Sequence, residues 1–247
     1  MRVLVTGGTR RIGAAITRHL IEAGHQVVVH RHRAHDDDEA LPGIAGVVEG
    51  ELGDPETAPR LIAEARALFG GPVDGLVNNA SMFAFDQLPL ADFSLLDRHM
   101  RVNLGGPVLL AQALAGQGDL GEGAVVNLLD QKVGNLNPDF FTYSCSKIAL
   151  AGATEMLARA LAPRVRVNAL SPGLTLPSLD QSAEEFAAVS GENLLGRPVD
   201  LADIARTVEH LLVTRSITGQ NVFVDCGQRF LPRDGDVMFR DRGRPHV

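Results

Sequence analysis

The sequence predicts one α/β domain with a doubly wound Rossmann fold, in which helices cover both faces of a seven-stranded parallel sheet. Short apolar segments alternate with helical ones along the 247 residues. The apolar segments contain few polar residues, which is typical of strands that are buried on both faces. With 45% hydrophobic residues, a chain of this length can bury one large core, so residues 1–247 are predicted to form a single domain.

The predicted strands are apolar runs that stop at glycine or polar residues. The first, Arg2–Thr6, stops at two glycines, and a second run follows one helix later. This strand–turn–helix–strand order is typical of a parallel βαβ unit. The predicted strands cover residues 2–6, 26–29, 47–48, 74–78, 123–129, 164–170 and 221–224.

The predicted helices have apolar residues at spacings of three and four. In the first helix Ile12, Ile16 and Leu20 share one face, and Gly24 is a typical C-terminal stop. The second helix stops before a pair of glycines. The predicted helices cover residues 12–24, 55–69, 90–114, 143–161 and 201–212.

Composition argues against several classes of function. The net charge of -7 and the pI of about 5.6 disfavour nucleic acid or an anionic membrane as the main partner. The N-terminus lacks a basic segment followed by a long apolar stretch, so the sequence predicts no signal peptide, no membrane span and a cytoplasmic location. Cys145 and Cys226 make no disulfide framework, and no metal-ligand spacing surrounds them. No metal site is therefore predicted.

A turn that contains glycine, TGGTRRIG at residues 6–13, joins the first strand to the first helix. Glycines such as Gly7 let the backbone approach a pyrophosphate, and the positive end of the following helix points at it. Many strand-to-helix turns contain glycine for steric reasons alone. The turn by itself therefore leaves nucleotide binding and simple packing open.

Basic residues near this turn favour NADPH over NADH. Arg10 and Arg11 lie in the turn, and the sequence His-Arg-His-Arg follows the second strand. An NAD enzyme usually carries an acid there, which accepts from the ribose 2′-OH, whereas arginine can bind a 2′-phosphate in bidentate fashion. Arg10 or Arg33 is predicted to meet the 2′-phosphate, with His30 and Arg31 beside it. The alternative is a basic surface patch.

Tyr143 and Lys147 stand four residues apart in the helix that follows the fifth strand. This spacing puts them on one face of the helix, one turn apart. A nearby ammonium favours phenolate, so Lys147 is predicted to lower the pKa of Tyr143, which suits a general acid in hydride transfer. Tyr143 is the only tyrosine in the chain, so coincidence is a poor explanation for its position.

Together these motifs resemble the short-chain dehydrogenase/reductase family over nearly the whole chain. The turn at 6–13 is similar to that family's Thr-Gly-x-x-x-Gly-x-Gly, and NNAS at 78–81 is similar to its Asn-Asn-Ala-Gly. SPG at 171–173 resembles its Pro-Gly, and VDCG at 224–227 resembles its closing Val-Asp-Gly-Gly. Each motif is weak alone, but their order along the chain is specific.

The resemblance implies an NADPH-dependent enzyme that forms a homotetramer through its long helices. Its implied catalytic residues are Asn103, Asp130, Tyr143 and Lys147, with Asn103 holding a proton-relay water near the lysine. Thr175 is the implied contact to the nicotinamide amide. The implied NADPH-binding residues are Gly7, Thr9, Arg10, Arg11, Ile12, His30, Arg31, Arg33, Glu51, Leu52, Asn79, Ala80, Ser81, Pro172, Gly173 and Thr175.

Three departures from the family pattern narrow the resemblance to a subgroup. Arg11 replaces the middle glycine of the turn, Ser81 replaces the glycine of Asn-Asn-Ala-Gly, and Asp130 stands where the catalytic serine is expected. All three resemble the pteridine reductases and the related bacterial dihydromonapterin and dihydrofolate reductases, in which a phenylalanine at the position of Phe83 stacks the pterin against the nicotinamide. The implied substrate-binding residues are Arg11, Ser81, Phe83, Asp130 and Tyr143.

The chemistry of Asp130 agrees with this subgroup. A serine hydroxyl can donate to a carbonyl oxygen that becomes an oxyanion, but a carboxylate would repel that charge. The nitrogen of a C=N bond gains a proton instead, which a carboxylate beside Tyr143 favours and can relay. The expected reaction is hydride transfer to the carbon of a C=N bond in a pterin-like substrate. Tyr143 would deliver the proton, and Lys147 would hold the nicotinamide ribose.

Two other functions stay open from the residues alone. A carbonyl or other imine reductase on the same scaffold is possible because residues 174–193, the expected substrate lid, carry no readable pterin signature. A non-catalytic NADPH-binding regulator fits less well, because such proteins typically lack the tyrosine or the lysine.

Of the charged segments, the acidic run at 36–39 is predicted to be a solvated loop. The tail at 232–247 is either disordered or packed on a neighbouring subunit.

Overall fold

The sheet has seven parallel strands in the computed structural model, which describes residues 1–178 and 181–240. The strands are β1 (Arg2–Thr6), β2 (Gln26–Arg31), β3 (Gly46–Glu49), β4 (Gly75–Asn78), β5 (Gly123–Leu128), β6 (Val165–Pro172) and β7 (Asn221–Val224). Their order across the sheet is β3-β2-β1-β4-β5-β6-β7. Because the order reverses between β1 and β4, a crevice opens at the carboxyl ends of these central strands.

Helices cover both faces of the sheet. They are α1 (Arg11–Glu22), α2 (Thr57–Phe69), α3 (Ser94–Met100), α4 (Gly106–Ala115), α5 (Phe141–Leu161), α6 (Ala183–Ser190) and α7 (Leu201–Val213). Short 3₁₀ turns occur at Gln131–Gly134, Gln228–Phe230 and Val237–Phe239. The described residues contain no helix that is both long and apolar enough to cross a membrane.

Two apolar clusters hold the helices against the sheet. Val3 and Val5 of β1 point into a cluster that contains the buried faces of α1 and α7. Leu4, between them, points the opposite way into a cluster with α2, α4 and part of α5. This burial on both faces explains why the strands contain almost only apolar residues.

The predicted fold class and all the predicted strands are confirmed, with strand ends that differ by at most two residues. The helix predicted for residues 90–114 begins at Ser94 and is not uniform, because a π-helical turn, Arg101–Gly105, separates α3 from α4. One helix, α6, was missed within the expected lid. Ser182 and Glu185 form a capping box at its start, which the sequence did signal.

The prediction for the C-terminal tail was wrong for the part that the structure describes. Residues 232–240 pack on their own chain, and Val237, Met238 and Phe239 are buried. Apolar burial against the aromatic residues near α5 holds this segment, and a sequence rich in Arg, Asp and Pro concealed it. Residues 241–247 of the tail and 179–180 of the lid lie outside the described residues.

Candidate active site

The candidate active site lies beyond the carboxyl ends of the central strands. A cavity of about 210 Å³ opens there. The residues singled out by sequence that line it are Arg11, Ile12, Asn79, Ser81, Phe83, Asp130, Tyr143, Lys147, Pro172, Gly173 and Thr175. Motifs that are distant in sequence therefore meet in one cavity.

A hydrogen bond joins Tyr143 to Asp130. Tyr143 lies in the first turn of α5, is 5% exposed, and donates from its hydroxyl to Asp130 Oδ2 at 2.9 Å. Asp130 follows β5 and caps the 3₁₀ turn, where its Oδ1 accepts from the Lys132 backbone N–H at 2.9 Å. Because the backbone holds one carboxyl oxygen, the other is kept toward the tyrosine.

The electrostatic environment of Tyr143 differs from the prediction. Burial raises the pKa of Tyr143 well above its ordinary value, and the neighbouring Asp130 carboxyl raises it further. Lys147 Nζ lies 5.7 Å from the centre of the Tyr143 ring and donates to the Leu128 carbonyl oxygen at 2.8 Å. The predicted lowering of this pKa was wrong, because burial and Asp130 outweigh the ammonium.

Burial also shifts the other two members of the catalytic group. It lowers the pKa of Lys147 to about 8, against the attraction of Asp130. It raises the pKa of Asp130, although the hydrogen bond and the positive charge of Lys132 oppose the rise. A carboxyl with a raised pKa holds a proton at higher pH than an exposed aspartic acid. Asp130 can therefore pass a proton as well as accept a hydrogen bond.

Asn103 does not line the cavity, but it forms hydrogen bonds to residues on two segments beside it. It lies buried in the π-helical turn, and its amide oxygen accepts from the Met82 backbone N–H at 2.8 Å and from the Ser81 hydroxyl at 3.1 Å. Its amide nitrogen donates to Ser146 Oγ at 3.0 Å, and that hydroxyl donates to the Tyr143 carbonyl oxygen at 2.6 Å. Asn103 thus ties the loop after β4 to the tyrosine helix. Its role in holding a relay water stays a prediction.

The turn after β1 fits the pyrophosphate of a dinucleotide. Gly7 has a φ of +59°, and a Cβ on Gly13 would lie 2.0 Å from the Gly7 carbonyl oxygen, so both positions require glycine. Asn79 Nδ2 donates to the carbonyl oxygens of Thr6 and Gly7 at 2.9 and 3.1 Å, and Thr6 Oγ1 accepts from the Ala80 N–H at 3.0 Å. No described side chain caps the start of α1, so its first N–H groups are available to an anion.

An acidic side chain lies among the basic residues near this turn. Arg31 pairs with Glu49 at 2.7 Å and with Asp38 at 3.0 Å. Asp38 also accepts from the Thr9 hydroxyl at 2.7 Å, and Arg10 Nε lies 4.0 Å from the same carboxylate. The prediction of a solvated loop was therefore wrong for Asp38, because neighbouring cations and a hydroxyl hold its carboxylate.

Several of the residues implied in NADPH binding lie differently from expectation. The His30 ring is 1% exposed and bonds to the Gly50 carbonyl oxygen at 2.9 Å, and burial lowers its pKa. Its burial and its bond to Gly50 place the His30 ring inside the fold, and the lowered pKa disfavours a positive charge on it, so both observations argue against its predicted role beside a phosphate. The Leu52 side chain is buried in the core, so its backbone alone can meet a ligand. Arg33 and Glu51 are exposed.

Arg11 and Phe83, which were implied in substrate binding, both line the cavity. Arg11 has a φ of 55°, a conformation that costs a non-glycine residue roughly 1–2 kcal/mol. Its Nη2 donates to the Pro177 carbonyl oxygen at 2.7 Å, which joins the glycine turn to the lid segment. Phe83 stacks on Phe140 with ring centres 4.4 Å apart and meets Tyr143 edge-on at 4.7 Å. Phe140 thus supports the Phe83 ring from one side.

The segment after β6 closes the opposite wall. A Cβ on Gly173 would lie 2.9 Å from the Asp225 Cα, a backbone atom that cannot move aside easily, so this position requires glycine. Thr175 is 8% exposed, and its hydroxyl donates to the Gly173 carbonyl oxygen at 2.8 Å. Cys226 stands at a glycine position of the family motif and has a φ of 51°, which explains why glycine is usual there.

Sequence reasoning missed the cavity residues contributed by the Lys132 loop, the lid and the tail. Of these residues, Lys132 was the easiest to predict from the sequence, since it stands two residues after Asp130. The tail residues carried no signal, because their contacts are distant in sequence. The missed residues include Gln131, Lys132, Asn135, Asn137, Gln181, Gln228, Arg233, Asp236, Val237 and Met238. In the described part of the chain, no group of three or more His, Cys, Asp or Glu side chains could hold a metal ion.

The geometry of this site is accompanied by a family match. The model of the short chain dehydrogenase family matches residues 1–188. The chain belongs to this family. Short-chain dehydrogenases are oxidoreductases that use nicotinamide cofactors. In this member the tyrosine and the lysine lie one turn apart on α5 and line the same cavity as the glycine turn. The chain is therefore an enzyme rather than a non-catalytic regulator.

Similar proteins place this short-chain dehydrogenase near the predicted subgroup. The FolM alternative dihydrofolate reductase 1 of Brucella suis, solved in complex with NADP, has a TM-score of 0.88 and 43% identity, covering 94% of this chain and 96% of that one. The dihydromonapterin reductase of Shigella sonnei is 29% identical over 92% of this chain and 95% of its own length. Dehydrogenase/reductase SDR family member 4 of Pongo abelii is 35% identical, covering 91% and 86% of the two chains.

Proposed function

We propose that this enzyme reduces a C=N bond of a pterin-like heterocycle, a dihydropteridine or dihydrofolate, to the tetrahydro form. The observation that carries the proposal is the 2.9 Å hydrogen bond from Tyr143 to Asp130. Where the family has a serine that donates to a carbonyl oxygen, this site has a carboxyl that accepts from the tyrosine. Such a pair favours a substrate nitrogen that gains a proton over an oxygen that gains negative charge.

The cofactor is NADPH, which supplies the hydride when it is bound. Gly7 and the start of α1 would hold its pyrophosphate, and Arg10 or Arg33 would meet its 2′-phosphate. Lys147 would hold the nicotinamide ribose, and Thr175 would hold the amide. The glycine contacts and the uncapped start of α1 support this assignment.

The proton comes from residues of this chain. Tyr143 Oη gives its proton to the substrate nitrogen, and Asp130 orients the hydroxyl by accepting its hydrogen bond. After the transfer, a proton taken up from water would pass through the Asp130 carboxyl to the tyrosinate. Because burial raises the pKa of both groups, each keeps its proton at higher pH than it would in water. The buried ammonium of Lys147 favours the tyrosinate that remains after the transfer.

Substrate binding is assigned to the cavity wall. Phe83 offers an aromatic ring braced by Phe140, which suits stacking with a flat heterocycle. Arg11 and Ser81 would contact its polar edge, and the position of both in the lining of the same cavity supports this role. The relatives named dihydrofolate and dihydromonapterin reductase support this substrate class.

The proposal is tested by following NADPH oxidation with dihydrobiopterin, dihydromonapterin and dihydrofolate, beside a panel of aldehydes and ketones. We expect kcat/KM for at least one of the three to exceed that for every carbonyl compound by roughly 100-fold or more. If none of the three is turned over while an aldehyde or ketone is, the assignment to pterins is wrong and the assignment to the reductase family stands.

The second candidate is a carbonyl or other imine reductase. The observation in its favour is a relative named NADPH-dependent aldehyde reductase 2, from Arabidopsis thaliana, which is 30% identical and covers 91% of this chain and 92% of its own length. The substrate panel separates the two candidates when cyclic imines that are not pterins are added to the aldehydes and ketones. The homotetramer, the cytoplasmic location and the absence of a nucleic-acid partner stay predictions. Ile148 and Met156, exposed on one face of α5, support an interface between subunits.

A further inference from the structure

A C-terminal segment, residues 233–240, lies against the cavity and is called the strap below. Its residues Gly235, Asp236, Val237 and Met238 line the cavity wall. Val237 and Met238 are each 6% exposed, although the surrounding sequence is rich in charge. The strap therefore belongs to the site of its own chain.

An ion pair holds the strap against the segment that follows β5, residues 130–139, which is called the catalytic loop below. Lys132 Nζ lies 2.8 Å from Asp236 Oδ2, and the two side chains are 4% and 12% exposed. The same ammonium donates to Asn137 Oδ1 at 3.0 Å and to the Asp139 carbonyl oxygen at 3.2 Å. Three acceptors thus match its three N–H donors, the condition under which a buried ammonium is tolerated.

The backbone of the strap is held at the same point. The Asp236 N–H donates to Asp139 Oδ2 at 2.7 Å. Asp236 Oδ1 accepts from the Met238 N–H at 2.9 Å and caps the turn that buries the apolar residues. Arg233 pairs with Glu192, just beyond α6, so the strap also reaches the lid. One segment therefore joins the lid to the catalytic loop.

The ion pair is directly linked to the carboxyl that holds Tyr143. The Lys132 N–H donates to Asp130 Oδ1 at 2.9 Å, while Asp130 Oδ2 accepts from Tyr143. A shift of Lys132 would therefore move the carboxyl. The positive charge of Lys132 opposes the rise in the pKa of Asp130 that burial causes, and the negative charge of Asp236 adds to the rise for Tyr143.

The strap also completes an aromatic stack. The Phe239 ring lies parallel to Phe140 with centres 5.7 Å apart and an angle of 13° between planes. Phe140 in turn stacks on Phe83 at 4.4 Å and 17°. The outermost ring of the stack thus comes from the strap, and the innermost ring lines the cavity.

We propose that Lys132 and Asp236 are positioning residues, whose ion pair seats the strap and thereby fixes the Asp130 carboxyl and the Phe83 ring at the substrate side of the cavity. Neither residue touches the glycine turn, so the pair acts on the step that involves the substrate and not on NADPH binding. The choice of a dihydropterin as the probe substrate rests on the proposed function. The roles of the two residues do not.

The test compares Lys132→Met, Asp236→Asn and the double variant with the native enzyme. Arg215→Gln is the control, because it breaks an exposed ion pair with Glu122 far from the cavity. We expect each single variant to lose ~10- to 100-fold in kcat/KM for dihydrobiopterin, as misplaced catalytic groups do. The double variant should lose no more than the worse single one, since both remove the same pair. The Kd for NADPH should stay within about 2-fold of the native value.

A second readout needs no substrate. The chain has one tyrosine and no tryptophan, so the ultraviolet absorbance of tyrosinate reports Tyr143 alone. The titratable groups around its ring are Asp130, Lys147, His99 and, from the strap, Asp236. We expect Asp236→Asn to lower the pH at which Tyr143 ionises and Lys132→Met to raise it.

Opposite shifts with unchanged NADPH affinity support the positioning role, because simple loss of structure would move both variants the same way. The proposal is overturned if both variants match Arg215→Gln in kcat/KM, or if the ionisation of Tyr143 does not move. If a variant fails to fold, Phe239→Leu tests the position of the strap instead, because it removes the ring that stacks on Phe140. The same loss of kcat/KM is expected. If the native enzyme reduces dihydromonapterin or dihydrofolate instead of dihydrobiopterin, that compound replaces it as the probe substrate. If it reduces none of the three, the proposed function fails and the titration of Tyr143 still decides the role of the strap.

Discussion

Tyr143, the only tyrosine of the chain, donates its hydroxyl hydrogen to Asp130 across 2.9 Å. The relationship departs from the serine–tyrosine pair that the family resemblance implies. It also reverses the expected electrostatics, because burial and a carboxyl raise the pKa of Tyr143 while Lys147 is held by a carbonyl oxygen. The site therefore keeps protons on its acid groups rather than favouring a phenolate.

The first prediction concerns the ionisation of Tyr143. We expect no tyrosinate absorbance in the folded native enzyme until the pH is well above the ordinary tyrosine pKa of about 10. In Asp130→Asn the transition should move down, because the carboxylate that disfavours tyrosinate is gone. The unfolded chain, which titrates near the ordinary value, is the internal control. Ionisation of the native folded enzyme at or below that value would contradict this account.

The second prediction concerns the stability cost of Lys147. Burial lowers its pKa to about 8, so at pH 7 Lys147 is a charged, buried ammonium that lowers the stability of the folded protein. Lys147→Met should abolish turnover, yet raise the free energy of unfolding at pH 7 by on the order of 2–3 kcal/mol.

Because folding lowers the pKa of Lys147, the stability of the native protein depends on pH. Between pH 8 and 10.5 the folded native protein has lost the Lys147 proton while the unfolded chain keeps it, so native stability rises with pH in this window. The advantage of Lys147→Met should therefore shrink from pH 7 to pH 10 in denaturant titrations of both proteins. A constant difference between them would show that the lysine is not destabilised by burial.

The third prediction concerns Asp38. Its carboxylate lies 3.0 Å from Arg31 and 4.0 Å from Arg10, among the cations proposed for the 2′-phosphate. Removing this negative charge with Asp38→Asn should lower the Kd for NADPH by about 5-fold and change the Kd for NADH much less. Asp36→Asn, an exposed acid in the same loop, is the matched control for net charge. Equal effects on the two nucleotides would place the 2′-phosphate elsewhere.

The sequence was sufficient for the sheet and the catalytic core because both depend on local pattern. Apolar runs buried on two faces mark β1 and its neighbours, and the four-residue spacing places Tyr143 and Lys147 on one face of α5. The capping box of Ser182 and Glu185 also marked α6, although the prediction overlooked it.

The remaining features depend on contacts between distant segments. The pairing of Lys132 with Asp236 spans most of the C-terminal half of the chain, and neither residue belongs to a motif. The environment of Tyr143 was misjudged because helix spacing gives the direction of Lys147 but not its carbonyl partner or the depth of burial. His30 was misjudged for a similar reason. The sequence shows that it lies at the end of a strand, but not that its ring is buried against the Gly50 carbonyl oxygen after the neighbouring strand.

The most direct test of the central claim is the substrate preference of Asp130→Ser, measured as kcat/KM for dihydrobiopterin and for an aldehyde with the same NADPH concentration. The account predicts a loss of at least about 100-fold for the dihydropterin, unchanged NADPH affinity, and aldehyde turnover that is retained or increased, because serine restores a donor for an oxyanion. Dihydropterin turnover within a few-fold of the native enzyme would show that the carboxyl beside Tyr143 does not determine the reaction.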